Sequence, residues 1–169
     1  MRTLIVSPER VQRIFSRLAC ELVERNRGAE NLIFFGILRK GLPVAEALAG
    51  HVAPIAGRPF VTHPLGVEAF RDDRPPPVQV SGDHRSIDVT GKHVVLVDDV
   101  LYTGRTVRAA LGAIVRFGRP SSIQLAVLVD RGHREVPIQA NYIGRSIQTK
   151  YRERVVVDVN EAFAIYVEE

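Results

Sequence analysis

The chain has 169 residues, of which 46% are hydrophobic and 25% charged, a composition typical of one soluble folded domain and not of a disordered chain. Basic side chains number 23 against 19 acidic ones, and the resulting charge of +4 favours anionic partners. The apolar runs are too short for a bilayer span or a signal peptide, and Cys20 is the only cysteine, so we expect a cytoplasmic protein with no membrane partner and no intrachain disulfide.

The N-terminal third alternates helix and strand patterns. Pro8 follows a potential cap, Ser7, and the apolar residues after it recur at spacings of three and four, which predicts an amphipathic helix. Residues 31–36, NLIFFG, form a continuous apolar run, as in a strand buried on both faces. The pattern predicts a second helix over residues 43–49 and another strand within residues 58–65.

The periodicity disappears between residues 66 and 90. This segment contains three consecutive prolines and several charges, and only Val78 and Val80 alternate with polar residues. A stretch of this length within a compact domain is usually a mobile lid over a site or a disordered loop. Composition alone does not separate these two interpretations.

The C-terminal half returns to alternating elements. Residues 92–99 and 123–130 read as buried strands, an amphipathic helix pattern lies between them, and NYIG, RVVVDV and AIYV read as shorter late strands. Strands that alternate with crossover helices predict an α/β fold, a parallel sheet flanked by helices, in one domain over residues 1–169. The loops GILRKG, DDVLYTGRT and DRGHRE should therefore lie at one edge of the sheet, where ligands bind.

The segment DDVLYTGRT combines two carboxylates with a helix start that suits an anion. Backbone N–H groups from Thr103 to Thr106 would be unpaired in the first helical turn, and Gly104 allows a close approach. Asp98 and Asp99 can accept hydrogen bonds from a vicinal diol or attract Mg²⁺. A ribose 5-phosphate satisfies the whole segment, whereas the alternative is a loop whose polar residues only cap the helix.

The other two loops offer weaker signals. Arg39 and Lys40 in GILRKG precede a helix start and suit a second anion such as pyrophosphate, although a solvated surface turn would look the same. His133 in DRGHRE could stack on or hydrogen-bond a base, or lie on the surface without a ligand. The histidines show no metal-ligand spacing with each other or with Cys20.

Together these segments resemble a known family. VVLVDDVLYTGRT is similar to the phosphoribosyl-pyrophosphate (PRPP) motif of the type I phosphoribosyltransferases. The following stretch, VRAALGAIVRFGRPSSIQLAVLVDRGHREVPIQANYIG, resembles almost continuously the bifunctional pyrimidine-operon regulators that are also uracil phosphoribosyltransferases. SRLACELVERNRG and FRDD align with the same family, so the resemblance covers nearly the whole chain.

The resemblance implies a fold, a reaction and partners. The fold would be the type I phosphoribosyltransferase sheet with a small hood and a flexible lid loop. The reaction would convert uracil and PRPP to UMP and pyrophosphate with Mg²⁺. The protein would form a homodimer or a higher homo-oligomer and bind the leader RNA of a pyrimidine operon in response to UMP.

The same resemblance implies roles for individual residues. The catalytic residues would be Asp98 and Asp99, which also hold Mg²⁺, together with Arg71 of the lid. The residues that bind the 5-phosphate and the pyrophosphate would be Thr103, Gly104, Arg105, Thr106, Arg39 and Lys40. The base would lie against Arg131, Gly132 and His133. RNA would contact Ser16, Arg17, Arg134 and Arg145.

The chain departs from the family pattern at four places. Arg39, Lys40 and Gly41 stand where the pattern has T-R-G, and residues 66–70 replace D-I-T-L-Y. Cys20 stands in place of a histidine, and Gln139 in place of an arginine. Two alternatives therefore stay open: a catalytically weakened, nucleotide-sensing RNA-binding regulator, or a phosphoribosyltransferase for another base.

Overall fold

The computed structural model of the protein describes residues 1–75, 86–160 and 162–169. Its helices are α1 (Pro8–Arg25), α2 (Gly41–Ala56) and α3 (Arg105–Ile114), with short 3₁₀ turns at Glu68–Phe70 and Val115–Phe117. Its strands are β1 (Arg2–Val6), β2 (Leu32–Ile37), β3 (Thr62–Leu65), β4 (His93–Leu101), β5 (Ser122–Asp130), β6 (Tyr142–Ser146), β7 (Arg154–Asp158) and β8 (Ala164–Glu168).

A five-stranded parallel sheet forms the centre of the molecule, in the order β3-β2-β4-β5-β6. Alternate residues of β4 enter different cores: Val95 and Val97 pack with α1 and α2, while Val94 and Leu96 pack with α3. Burial on both faces explains why the central strands read as continuous apolar runs. The predicted parallel sheet flanked by helices is confirmed.

A second, antiparallel sheet of three strands has the order β1-β8-β7, and we call it the hood. The sequence predicts β7 and β8 but not β1, because most of β1 is exposed and its run is short. Val155, Val157 and Ile165 of the hood join the core that contains α1 and α2.

Two predicted boundaries were wrong. Helix α2 begins at Gly41 and continues to Ala56, where the left-handed Gly57 (φ +70°) ends it, instead of covering residues 43–49. Strand β3 covers only Thr62–Leu65 of the predicted residues 58–65. Ser7 precedes α1 as expected, but its side chain makes no capping hydrogen bond to the helix.

The predicted lid divides into a described and an undescribed part. Residues 66–75, which we call the lid root, are described and include the 3₁₀ turn at Glu68–Phe70. Residues 76–85 of the predicted lid lie outside the described residues. Within the described ranges, no helix is long and apolar enough to cross a membrane.

Candidate active site

Three loops meet at the carboxyl edge of the parallel sheet, because β2, β4 and β5 are neighbours that run in the same direction. The loop after β5 contacts the end of β4 and the loop after it through backbone bonds: Arg131 N donates to Leu101 O at 3.1 Å, and Glu135 N and Val136 N donate to Thr103 O at 2.9 and 3.3 Å. The loop after β2 packs just as closely, since a Cβ on Gly41 would lie 2.5 Å from Val97 O. The structure thus brings together the three loops that the sequence singled out.

The carboxylate pair lies within the last residues of β4. Asp98 is only 8% exposed, and its Oδ1 accepts a hydrogen bond from Asp99 N at 2.9 Å. Asp99 is half-buried, and its Oδ1 accepts from Val100 N at 2.9 Å. Burial, and then the neighbouring Asp99 carboxylate, raise the pKa of Asp98 well above its usual value. A diol or a cation that binds this pair would favour the ionised form.

The start of α3 forms a cradle for an anion. Gly104 precedes the helix with φ +87°, and a Cβ there would lie 2.9 Å from Val136, so the position favours glycine. Thr103 Oγ1 accepts from Arg105 N at 3.3 Å, and Thr106 Oγ1 accepts from Arg71 Nη1 at 2.9 Å. Hydroxyl groups, backbone N–H groups and a lid arginine therefore converge at the helix start.

Two arginines predicted to meet PRPP are paired with carboxylates of the chain itself. Arg105 Nε lies 2.5 Å from Glu135 Oε2, and its Nη1 lies 3.2 Å from Asp72 Oδ2. Arg71 forms a forked pair with Asp73, at 2.8 and 2.5 Å. The hydrogen bond to Glu135 raises the pKa of Arg105, and the one to Asp73 raises that of Arg71.

Arg39 and Lys40, the predicted pyrophosphate residues, differ in their contacts. Arg39 is exposed, and its side chain has no hydrogen-bond or ion-pair partner within the described part of the chain. Lys40 Nζ donates to the carbonyl oxygen of Val157 in the hood at 2.9 Å. The sequence did not predict this contact, since residues 40 and 157 are far apart in the chain.

The loop after β5 surrounds its predicted base-binding residues with partners. Arg131 is buried, donates to Thr149 Oγ1 at 3.2 Å, and its guanidinium lies 4.0 Å from the centre of the Tyr102 ring. His133 has φ +62°, and its Nε2 lies 2.8 Å from Thr149 O, which it reaches as an N–H donor. In the tautomer that carries its only ring proton on Nε2, Nδ1 is an acceptor. Gly132 N donates to Asp130 Oδ1.

Aromatic rings flank His133 on two sides, at centroid distances of 6.0 Å to Tyr102 and 5.5 Å to Tyr151. Tyr102 was not among the predicted site residues, although it lies inside DDVLYTGRT. Nothing in the sequence around Thr149 and Tyr151 indicated that they would reach this loop.

Three of the four residues predicted to bind RNA make contacts within the fold, and Ser16 Oγ donates to the carbonyl oxygen of Gln12 at 3.2 Å. Arg17 pairs with Glu21 at 2.7 Å and donates to the carbonyl oxygen of Gly144, joining α1 to β6. Arg134 pairs with Asp130 at 2.6 Å and donates to backbone carbonyls of two loops, those of Tyr102 and Ile138. Ser16 and Arg145 are exposed.

The donor set for a metal is small. Within the described residues, no group of three or more His, Cys, Asp or Glu side chains could hold a metal ion by itself. Mg²⁺ is commonly held by one or two carboxylates together with substrate phosphates and water. The pair Asp98 and Asp99 fits that mode, in which the substrate completes the site.

Comparison with known proteins identifies the family. Residues 6–162 match the phosphoribosyl transferase domain. The chain is 44% identical over 165 residues to the bifunctional protein PyrR of Bacillus mycoides (strain KBAB4), and equally to that of Bacillus cereus (strain B4264), covering 95% of this chain and 92% of each relative.

Solved structures share the fold at low identity. The hypoxanthine phosphoribosyltransferase of Trypanosoma cruzi superposes with a TM-score of 0.74 at 19% identity, covering 98% of this chain and 95% of that one. That of Staphylococcus aureus gives 0.69 at 20% identity, covering 88% and 80%. The chain therefore belongs to the phosphoribosyl transferase family, with the bifunctional PyrR proteins among its relatives, and is a phosphoribosyltransferase, a glycosyltransferase by reaction class.

Proposed function

We propose that the protein is a uracil phosphoribosyltransferase, which converts uracil and PRPP to UMP and pyrophosphate. The observation that carries this proposal is the pair of the buried Asp98 and the half-buried Asp99 shortly before the helix start at Gly104. A ligand with a diol and a 5-phosphate matches carboxylates and a helix N-terminus placed this close together. The resemblance to the bifunctional PyrR proteins supports uracil as the base.

The residues act by positioning and by charge stabilisation. Thr103, Thr106 and the N–H groups at the start of α3 hold the 5-phosphate, while Asp98 and Asp99 accept hydrogen bonds from the ribose hydroxyls. The bond from C1 to the pyrophosphate oxygen breaks, the bond from C1 to uracil N1 forms, and the N1 proton leaves to solvent. The carboxylates stabilise the positive charge that develops on the ribose.

When bound, Mg²⁺ would be held by Asp98 and Asp99 with the substrate, and it would neutralise charge on the departing pyrophosphate. Arg39, whose side chain pairs with no residue that the structure describes, is the cation of the loop that would receive this group. Arg71 connects the lid root to the cradle through Thr106. A lid closed over this edge would exclude water from the cationic transition state.

The loop after β5 supplies a rationale for uracil. His133, with its proton on Nε2, offers Nδ1 as an acceptor, and uracil presents an N3–H donor that cytosine lacks. A site with an unpaired acceptor discriminates strongly against a base without the matching donor. Arg131 and Gly132 complete the wall of this pocket beside Tyr102.

A steady-state assay with PRPP, Mg²⁺ and each pyrimidine or purine base tests the proposal. We expect pyrophosphate release that depends on uracil and stops when Mg²⁺ is chelated. Release with hypoxanthine or guanine instead of uracil would select the alternative of another base. UMP binding without turnover would select a catalytically weakened, nucleotide-sensing regulator.

A second role, UMP-responsive regulation by binding the leader RNA of a pyrimidine operon, is favoured by the exposed cations around α1. Arg10 and Arg13 on α1 and Arg145 on β6 are exposed, and α1 packs on β6 through Arg17. Ser16 lies in the same region, whereas Arg134 has most of its donors engaged within the fold. A cytoplasmic location and a homodimer or larger homo-oligomer belong to this proposal.

A further inference from the structure

We propose that Lys40 is a positioning residue that fixes the hood against the catalytic edge, which leaves Arg39 as the side chain of this loop that serves pyrophosphate. The inference rests on the proposed function, and it gives different roles to Arg39 and Lys40, which the sequence analysis both assigned to pyrophosphate. Its starting point is the hydrogen bond from Lys40 Nζ to Val157 O, 2.9 Å long and partly buried.

The carbonyl that receives Lys40 belongs to an edge strand. Among the described strands, β7 pairs only with β8, so its outward backbone groups have no partner from those strands. Val157 is almost fully buried, with 1% of its surface exposed, and an unsatisfied carbonyl there would be costly. The ammonium group of Lys40 therefore provides a hydrogen-bond donor for the carbonyl oxygen of Val157.

The other end of this connection is fixed to the carboxylate pair. A Cβ on Gly41, the residue after Lys40, would lie 3.2 Å from Asp98 Oδ1 and 3.3 Å from Asp98 Cα. The backbone beside Lys40 is thus packed against Asp98 and has little freedom to move. Lys40 consequently sets the distance from Asp98, on the ribose side, to Val157 in the hood.

The hood also approaches the base side of the site. Arg131 and His133 both bond to Thr149, which lies in the segment leading into β7. The segment that leads from β6 into the hood is therefore held to the base loop at Thr149, and β7 of the hood is held to the pyrophosphate loop by Lys40. Transfer requires the reacting atoms to be about 3–3.5 Å apart, so a displaced hood would misplace the base relative to ribose C1.

Arg39 provides the contrast within the same loop. It is exposed, and no described residue pairs with its side chain. Its guanidinium has the fork geometry that suits a phosphate. The two neighbouring cations thus have separate roles: Lys40 positions the hood, and Arg39 binds the pyrophosphate.

Three variants test this division: Lys40→Met, which keeps the apolar stem and removes the donor, Lys40→Arg, which keeps a donor, and Arg39→Met as the matched control. Each is assayed with PRPP and uracil varied independently. Hydrogen exchange of peptides covering residues 154–158 and 164–168 provides a readout that needs no turnover.

For Lys40→Met we expect about a tenfold rise in the KM for uracil or a matching loss of kcat, a KM for PRPP within about twofold of the original, and faster exchange in β7. Lys40→Arg should restore most of both properties. Arg39→Met should raise the KM for PRPP about tenfold or more and leave hood exchange unchanged.

A rise in the PRPP KM of Lys40→Met with unchanged hood exchange would overturn the proposal and make Lys40 a pyrophosphate ligand. If the unaltered protein does not turn over uracil at all, the uracil proposal is wrong, and hydrogen exchange in β7 alone tests whether Lys40 fixes the hood. Faster exchange in Lys40→Met but not in Arg39→Met would support that role. Equal exchange in the two variants would refute it.

Discussion

Asp98 and Asp99 are adjacent carboxylates in different environments. Asp98 is almost fully buried, and its ionised form is disfavoured by burial and by the charge next to it. Asp99 is half-buried and close to solvent. Such a pair destabilises the empty protein and becomes favourable when a cation or hydroxyl donors arrive, as is common for functional sites.

Replacing Asp98 by Asn should stabilise the empty protein and abolish turnover. The folded-state pKa of Asp98 is raised, so the folded protein retains a proton that the unfolded chain has already lost, and stability falls as pH rises through the folded pKa. An amide cannot ionise, and its oxygen can still accept from Asp99 N. Thermal denaturation should be measured across pH. Above the folded-state pKa of Asp98, the variant should melt a few degrees higher than the original protein, and in acid the two melting temperatures should be equal. A lower melting temperature at every pH would contradict this argument.

Replacing Asp99 by Asn tests the ribose assignment from the more exposed side. Losing a charge-assisted acceptor should cost about 1.5–3 kcal/mol, or roughly 10- to 150-fold in PRPP and UMP affinity or in rate. Calorimetric titration of both ligands measures the effect, and the melting temperature serves as the control for folding. Unchanged affinity for both ligands would remove Asp99 from the ribose site.

Among the elements, the lid root is docked on α3. Asp72 lies 3.2 Å from Arg105 and 3.3 Å from Arg108, and Phe70 packs against Gly112 of the helix. In the described root, these ion pairs join the segment to α3, and the mobility that the sequence predicts for the empty lid stays a prediction. Whether the rest of the lid is mobile stays a prediction for residues 76–85, which lie outside the described residues.

In the proposed site, Asp72 would compete with the phosphate of the ligand for Arg105 and Arg108, so Asp72→Asn should strengthen phosphate binding. The pairs of Asp72 with Arg105 and Arg108 are partly exposed, and such pairs contribute about 0.2–1 kcal/mol each, which sets the gain at roughly two- to thirtyfold in PRPP affinity. The gain should shrink at high salt. Titrations of PRPP at two salt concentrations measure this gain in affinity. Glu153→Gln, a substitution outside the cradle that also removes one carboxylate, is the control. Weaker binding would show that Asp72 assists the bound state.

The sequence predicts the sheet better than the contacts made by its loops. Buried strands such as β2 and β5 can be recognised in the sequence as continuous apolar runs. Because the strands are parallel, the loops that follow them lie at the same edge of the sheet. Side-chain partners depend on which distant segments fold together, so neither the pair of Arg105 with Glu135 nor the contact of Lys40 with Val157 could be predicted. Strand β1 was missed because its run is short and mostly exposed, and because its partner β8 is distant in the sequence.

At the scale of the whole molecule, the surface charge affects the proposed binding of RNA. The chain carries a net charge of +4, and Arg10, Arg13 and Arg145 are exposed on α1 and β6. Cys20 and Gln139 are also exposed, at positions where the family resemblance implies a histidine and an arginine. In the proposed binding of RNA, these exposed cations would attract phosphate, while two polar side chains that could select particular bases are replaced.

We expect binding to a pyrimidine-leader hairpin that depends strongly on salt and discriminates poorly against a scrambled hairpin. Phosphate contacts supply affinity that falls as salt rises, whereas selectivity among RNA sequences comes from contacts to unstacked bases. Filter-binding titrations of both hairpins across salt concentrations, with and without UMP, measure the two contributions separately. Arg145→Gln should weaken binding to both RNAs alike, because it removes a cation and leaves the remaining contacts in place. Tight, UMP-enhanced binding that rejects the scrambled hairpin would mean that other residues compensate for Cys20 and Gln139.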